Sequence, residues 1–297
     1  PSACCGVFGL KPTYGRVPID GSPNAFGSHS PFTHLGPMAR TVEDAALLLS
    51  VMAGPDPADP FSLPEAEADY VGATRRPIDD LRIAYSPDLG TYPLAADVRE
   101  TLEEAVSAFE AAGASVERID GPLEPDNDAI LAAYYDFARV LWESLLDGLE
   151  ADQGLDPRGE DRDRLAESTV ETLLEAADVT TRDVSAANRL RTTVFQNLQS
   201  VFEDYDLLVS ATLAVTPFEI GDFPSEIAGQ SIDPQRGWLL TQPFNLSGHP
   251  AASVPAGLAD GLPVGMQVVG PRFDEETVLA ASAAVERQRP WHAAYPE

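Results

Sequence analysis

From Leu81 to Ile119 the chain sets one amphipathic stretch between two short apolar runs, and that order limits the folds open to it more than any other feature. Leu81 to Tyr85 and Ser115 to Ile119 read as strands. Asp97, with Glu100 three residues on, marks the start of a helix that runs to Ala112, where Gly113 stops it. Strand, helix, strand in this order places the two strands parallel in one sheet with the helix packed across it. The expectation is an α/β architecture.

The flanking sequence extends this pattern. The first forty residues are punctuated by Gly6, Gly9, Pro12, Gly15, Pro18, Gly21 and Pro23 and read as extended, turning backbone. Thr41 with Asp44 is an acidic variant of the capping box; Val42, Ala45, Ala46, Leu49 and Met52 then repeat at helical spacing until Gly54. Pro55 to Pro64 is a loop. Helical patterns dominate from about 129 to 204, broken by the charged stretch Asp152 to Asp163, and read as a helical layer or insertion. Leu207 to Ser210, Ala252 to Pro255 and Val264 to Val269 return to strand, and Asp274 caps a last helix through Arg287. One composite domain over 1–297 accommodates all of this.

Charge excludes several functions. The 297 residues carry a formal charge of −29, and Lys11 is the one lysine among 19 basic residues. A field of that sign repels phosphate backbones and anionic lipid, so neither nucleic acid nor a membrane is expected as a partner. The carboxylates are spread among periodic apolar residues, as in Asp97 to Ala112, which argues for a folded, salt-adapted surface over disorder. No apolar run has the length of a membrane span and no basic leader precedes one, so the expected location is the cytoplasm. Adjacent Cys4 and Cys5 are badly placed to bridge each other and fit a reducing compartment. His29, His34, His249 and His292 are scattered, with no CxxC pair or HExxH helix, and no metal or other cofactor is expected.

Motifs for nucleophilic catalysis or phosphate binding are absent: no GxSxG elbow, no Walker loop and no GxGxxG fingerprint. Ser247, His249 and Asp260 supply the residue types of a hydrolytic triad, but any chain of this length offers such trios.

Five or six blocks carry a resemblance instead. Cys5-Gly-Val-Phe-Gly-Leu-Lys-Pro-Thr13, followed by Tyr-Gly-Arg-Val-Pro18, resembles the stretch after the catalytic serine of the amidase signature family. Leu35-Gly-Pro-Met-Ala-Arg-Thr-Val-Glu-Asp-Ala45 is similar to the next block. Ala187 with Arg191, Tyr205-Asp-Leu-Leu208, Pro243-Phe-Asn-Leu-Ser-Gly-His-Pro250 and Gly261-Leu-Pro-Val-Gly-Met-Gln267 follow in family order.

The resemblance implies an α/β/α fold on a mixed sheet and a Ser, cis-Ser, Lys triad acting on a small-molecule amide. A neutral lysine would draw a proton through the bridging serine, so that the other serine attacks the carbonyl. By the same alignment the triad falls upstream of Pro1. The chain also opens without an initiator Met, directly in a Gly- and Pro-rich motif, so further sequence is expected before it and the chain alone is expected to be inactive. No residue within it takes a catalytic role; Lys11 matches a lysine after the active-site loop, with packing or an ion pair as its expected role. Arg191 matches a position that, in the tRNA-dependent amidotransferase branch, holds the substrate carboxylate; a salt bridge to a nearby acid is its bland alternative. Trp238 falls where that branch carries an acidic residue that recognises glutamine, and an indole there favours an apolar or aromatic group. Cys5, Phe8 and Gly9 would lie beside the nucleophile turn. A non-catalytic scaffold and the glutamine-hydrolysing component of a tRNA-dependent amidotransferase remain as alternatives, and homodimerisation is left open.

Overall fold

The computed structural model describes residues 1–21, 25–26, 33–165 and 179–292. Pro23 and His29 lie outside these ranges, as do residues 166–178 of the expected helical layer.

The strand–helix–strand unit forms as its sequence requires. Strand β3 (Arg82–Tyr85) pairs parallel with β4 (Ser115–Arg118), and helix α4 (Ala96–Ala111) joins them, with Gly113 at φ 101° turning the chain back. The start of the helix differs from expectation. Ala95, not Asp97, is the N-cap, and its N–H donates to the Ala214 carbonyl at 2.9 Å. A tertiary hydrogen bond fixes this end, and the Asp97 carboxylate accepts from the next N–H at 2.8 Å, inside the first turn where negative charge suits the helix dipole.

Among the described residues the main sheet has seven strands in the order β2-β1-β8-β9-β5-β3-β4, and β6 (Glu226–Ile227) pairs with β7 (Gln230–Ser231) apart from it. Strand β5 (Leu207–Ala211) extends the parallel block by pairing with β3. Antiparallel pairings then carry the sheet through β9 (Leu262–Val269), β8 (Ala251–Ala259) and β1 (Phe8–Lys11) to β2 (Met38–Ala39). The sheet is mixed. Strand β1 corrects the reading of the first forty residues as merely extended and turning: Phe8 to Lys11 lies inside the sheet, preceded by a short helix α1 (Ser2–Cys5). Gly9 disguised it, and Gly9 is there because a Cβ would sit 2.6 Å from the Ser2 hydroxyl of α1.

Strands β8 and β9 are longer than their apolar cores predicted. Asp260 (φ 49°) and Gly261 (φ 82°) join them as a tight hairpin, a left-handed pair of the Asp-Gly kind that matches strand twist. Helices cover the sheet from both sides. Along β9 successive side chains alternate, so Gly265 faces α1 while Met266 and Val268 face α4 and α8 (Glu275–Gln288). Thr41 caps α2 (Val42–Met52) through its hydroxyl at 3.0 Å, and Asp274 caps α8 at 3.1 Å, both as the sequence indicated; the short α3 (Tyr70–Ala73) comes between α2 and α4. The helical layer contains α5 (Asn127–Gln153) and α6 (Thr181–Asp204), which pack on each other and on the short helix α7 (Gln242–Ser247).

Candidate active site

Helix α1 lies directly on the sheet because the residues beneath it are small. A Cβ on Gly265 would stand 2.7 Å from the Ala3 Cβ, 2.8 Å from the Ser253 hydroxyl and 3.0 Å from that of Thr212. Those two hydroxyls, on β8 and just beyond β5, hydrogen-bond each other at 3.0 Å in the buried floor. Next to them the Gln267 amide donates to the Ser210 hydroxyl and to the Leu240 carbonyl, each at 3.2 Å. A buried amide with both strands and loop as partners holds the 238–240 segment to the sheet, since leaving it unpaired would cost about 1–3 kcal/mol.

That segment carries Trp238. The Ala214 N–H donates to the Trp238 carbonyl at 2.9 Å and Leu213 bridges Leu239, so the indole is set at the carboxyl end of β5. Its Nε1–H donates to Pro234 at 3.0 Å; its ring meets Phe218 edge-on at 5.1 Å, and Phe218 in turn meets Phe223 at 5.7 Å. Trp238 is only partly buried, neither a sealed core residue nor a free surface one. Arg236 of the same loop stacks over Tyr134 of α5 at 5.0 Å.

Arg191 is in a different place, on α6. Its Nε–H donates to the Leu246 carbonyl at the end of α7, and its guanidinium lies 6.0 Å from the Phe137 ring. Among the described residues no carboxylate forms an ion pair with it. Arg191 shares a cleft of about 290 Å³ with Tyr14, Asn188, Thr192, Ser247 and Arg272. Burial lowers its pKa, Tyr14 opposes that shift, and the neighbouring Arg272 charge adds to it. Arg272 was not singled out from the sequence, because nothing in a Pro-Arg-Phe turn signals that it faces another arginine.

Cys5 is exposed at the end of α1 and lines an apolar cleft with Pro255, Leu258 and Trp291; Phe8 is fully buried in β1; Gly9 lies under Ser2. All three stand at the junction of α1 with the sheet. Lys11 makes no ion pair among the described residues. Its ammonium donates to the carbonyls of His249 and of Pro12, and burial brings its pKa down to about 7 against the pull of Glu275. It thereby ties β1 to the loop after α7.

Ser247 and His249 do meet: Oγ and Nδ1 are 2.9 Å apart. The third member is not Asp260, which is exposed in the β8–β9 turn, but Gln199, whose Oε1 is 3.4 Å from Nε2. An uncharged amide cannot stabilise an imidazolium as a carboxylate does. Burial, with help from the Lys11 and Arg272 charges, holds the His249 pKa down to about 3. The pair is a neutral packing unit. Among the described residues no group of three or more potential ligands forms a metal site, and no helix is long and apolar enough to cross a membrane.

A mixed sheet between helical layers, with a short helix seated on a Gly- and Ser-lined floor, defines an α/β protein, and the candidate site is where α1, β5 and the 238–240 loop converge. The amidase family model matches residues 1–279, and the chain belongs to the amidase signature family. It is 37% identical to the acylamidase of Rhodococcus erythropolis over 98% of its length. Over its full length it is 34% identical to the A subunit of the glutamyl-tRNA(Gln) amidotransferase of Geobacillus thermodenitrificans. A bacterial aryl acylamidase of the amidase signature enzymes superposes with a TM-score of 0.92 at 36% identity, over 99% of this chain and 61% of that one. A 6-aminohexanoate cyclic dimer hydrolase superposes at 0.77 with 28% identity, over 99% of this chain and 62% of that one. The chain spans 59% of the acylamidase and 62% of the amidotransferase component.

Proposed function

We propose that this chain is the carboxy-terminal portion of an amidase domain that hydrolyses the carbon–nitrogen bond of a small carboxamide other than a peptide. The Ser, cis-Ser, Lys triad comes from sequence before Pro1, by the match of Cys5 to Thr13 with the block that follows the nucleophile in this family, and the chain by itself is inactive. Trp238 carries the choice of substrate. An indole packed edge-on against Phe218 at the end of β5 presents apolar surface where recognition of glutamine needs a polar or charged group. This favours an aryl or other apolar amide, in keeping with the acylamidase relatives, over the glutamine chemistry of a tRNA-dependent amidotransferase. Arg191 is the second proposed substrate contact, toward a polar end of the same molecule. Cys5, Phe8 and Gly9 shape the seat of α1, which leads back to the nucleophile turn.

The test is to express the chain alone and joined to the coding sequence upstream of it, and to assay both with an anilide. Hydrolysis by the joined protein alone is expected, and Trp238→Asp in that protein should lower kcat/KM for the anilide by roughly 10–200-fold, the range for a lost apolar pocket contact. Upstream sequence with neither serine nor lysine of the triad, or a Trp238→Asp protein that keeps full activity, would overturn the reading.

A further inference from the structure

We propose that Arg191 and Arg272 together form a binding site for a small oxyanion carrying two negative charges, of the phosphate class. The cleft they share is also lined by Tyr14, Asn188, Thr192 and Ser247, and among the described residues no carboxylate lines it. In a chain of formal charge −29, two guanidiniums in one cleft without an acidic neighbour are an unbalanced pair. Several other arginines among the described residues pair with acids, as Arg158 does with Glu143, Asp147 and Glu150, while Arg82, Arg189, Arg236 and Arg287 form no such ion pair.

Each guanidinium is held in place by its own element. Arg191 rises from α6 and lines the cleft, and its Nε–H is committed to the Leu246 carbonyl. Arg272 follows β9, stacked at 4.6 Å on Phe273, and its Nε is buried without a hydrogen-bond partner. Phe273 itself has φ 75°, a conformation that non-glycine residues seldom adopt, and the Thr13 hydroxyl holds it by accepting from its N–H at 2.9 Å. The turn that presents Arg272 is thus fixed by a specific contact from another segment.

Two planar, multidentate donors suit an oxyanion better than halide, and mutual repulsion of two cations is relieved more fully by a dianion than by a monocarboxylate. The site names the ligand class of the Arg191 contact proposed above and rests on that reading only for whether a substrate delivers the oxyanion; binding is measured without turnover, so failure of one does not imply failure of the other.

The experiment is calorimetric titration of the chain at constant ionic strength and about pH 8, where phosphoryl groups are dianions, with inorganic phosphate, phenyl phosphate and benzoate as separate probes. Saturable binding of phosphate, weakened roughly tenfold by Arg191→Gln and by Arg272→Gln, is expected, as each removes one charge-assisted contact. Tighter binding of phenyl phosphate would place the oxyanion on a larger molecule; equal binding would identify free phosphate as the ligand. Benzoate binding as tightly as phosphate, or variants that bind phosphate like the parent, overturns the proposal. Should the variants fail to fold, phenylglyoxal modification of the unaltered chain decides: phosphate must protect both Arg191 and Arg272, and modification unchanged by phosphate sinks the idea.

Discussion

His249 lies fully buried against the rings of Phe195 and Phe202, 5.5 and 5.3 Å away, and its pKa falls from 6.5 to about 3. The folded chain therefore refuses a proton that the unfolded chain accepts. Stability from this residue is complete above about pH 6.5 and is lost as pH falls toward 3. His249→Gln should flatten that part of the curve of unfolding free energy against pH, measured by urea titration at several pH values; a variant with the parent's slope would refute the assignment. Gly265 makes a second prediction. A larger side chain there must displace Ala3, so Gly265→Val should cost about 1–3 kcal/mol of stability in denaturant unfolding, the range for overpacking. Neither effect was legible in the sequence. His249 and Gly265 both stand in blocks that the resemblance picked out, but a block does not say that a histidine is sealed off or that a helix rests on a glycine.

At the scale of elements, the periodic helices were the most legible. The caps of Thr41 and Asp274 are local, because a side chain three residues from its backbone partner reaches it whatever the rest of the chain does. Helix α4 shows the limit: its first residue was set by a bond from Ala95 to Ala214, more than a hundred residues away. Helix α2 also shows what periodicity misses. Its buried face is Val42, Ala45, Ala46 and Leu49, yet Leu47, Leu48 and Val51 are exposed, Val51 at 80%, so the helix is apolar on two sides. Removing part of that exposed face should reduce nonspecific association. Val51→Glu is expected to lower hydrophobic-dye binding and self-association in sedimentation while changing stability by no more than about 0.5 kcal/mol. Unchanged dye binding would mean that the dye reports some other surface, such as the apolar cleft at Cys5.

For the whole molecule, charge dominates. At −29, repulsion among surface carboxylates acts over about 10 Å in 0.1 M salt and about 3 Å in 1 M. The melting temperature should rise as potassium chloride is raised from about 0.1 M to 1 M, followed by circular dichroism. A fall would count against a salt-adapted surface, because exposed ion pairs such as Arg75–Glu43 and Arg118–Glu103 would then outweigh repulsion, and such pairs are individually weak.

The sequence by itself determined the α/β class, the parallel β3–β4 unit, the caps of α2 and α8 and the family, because each depends on neighbours within a few residues or on the order of short blocks. Tertiary structure alone decided that Phe8 to Lys11 is a sheet strand, that Trp238 meets Phe218 edge-on, that Gln199 rather than Asp260 meets His249, and that Arg191 shares a cleft with Arg272. Those outcomes depend on which distant segments share space, and side-chain contact across the sheet and between helix layers has no signature in local periodicity.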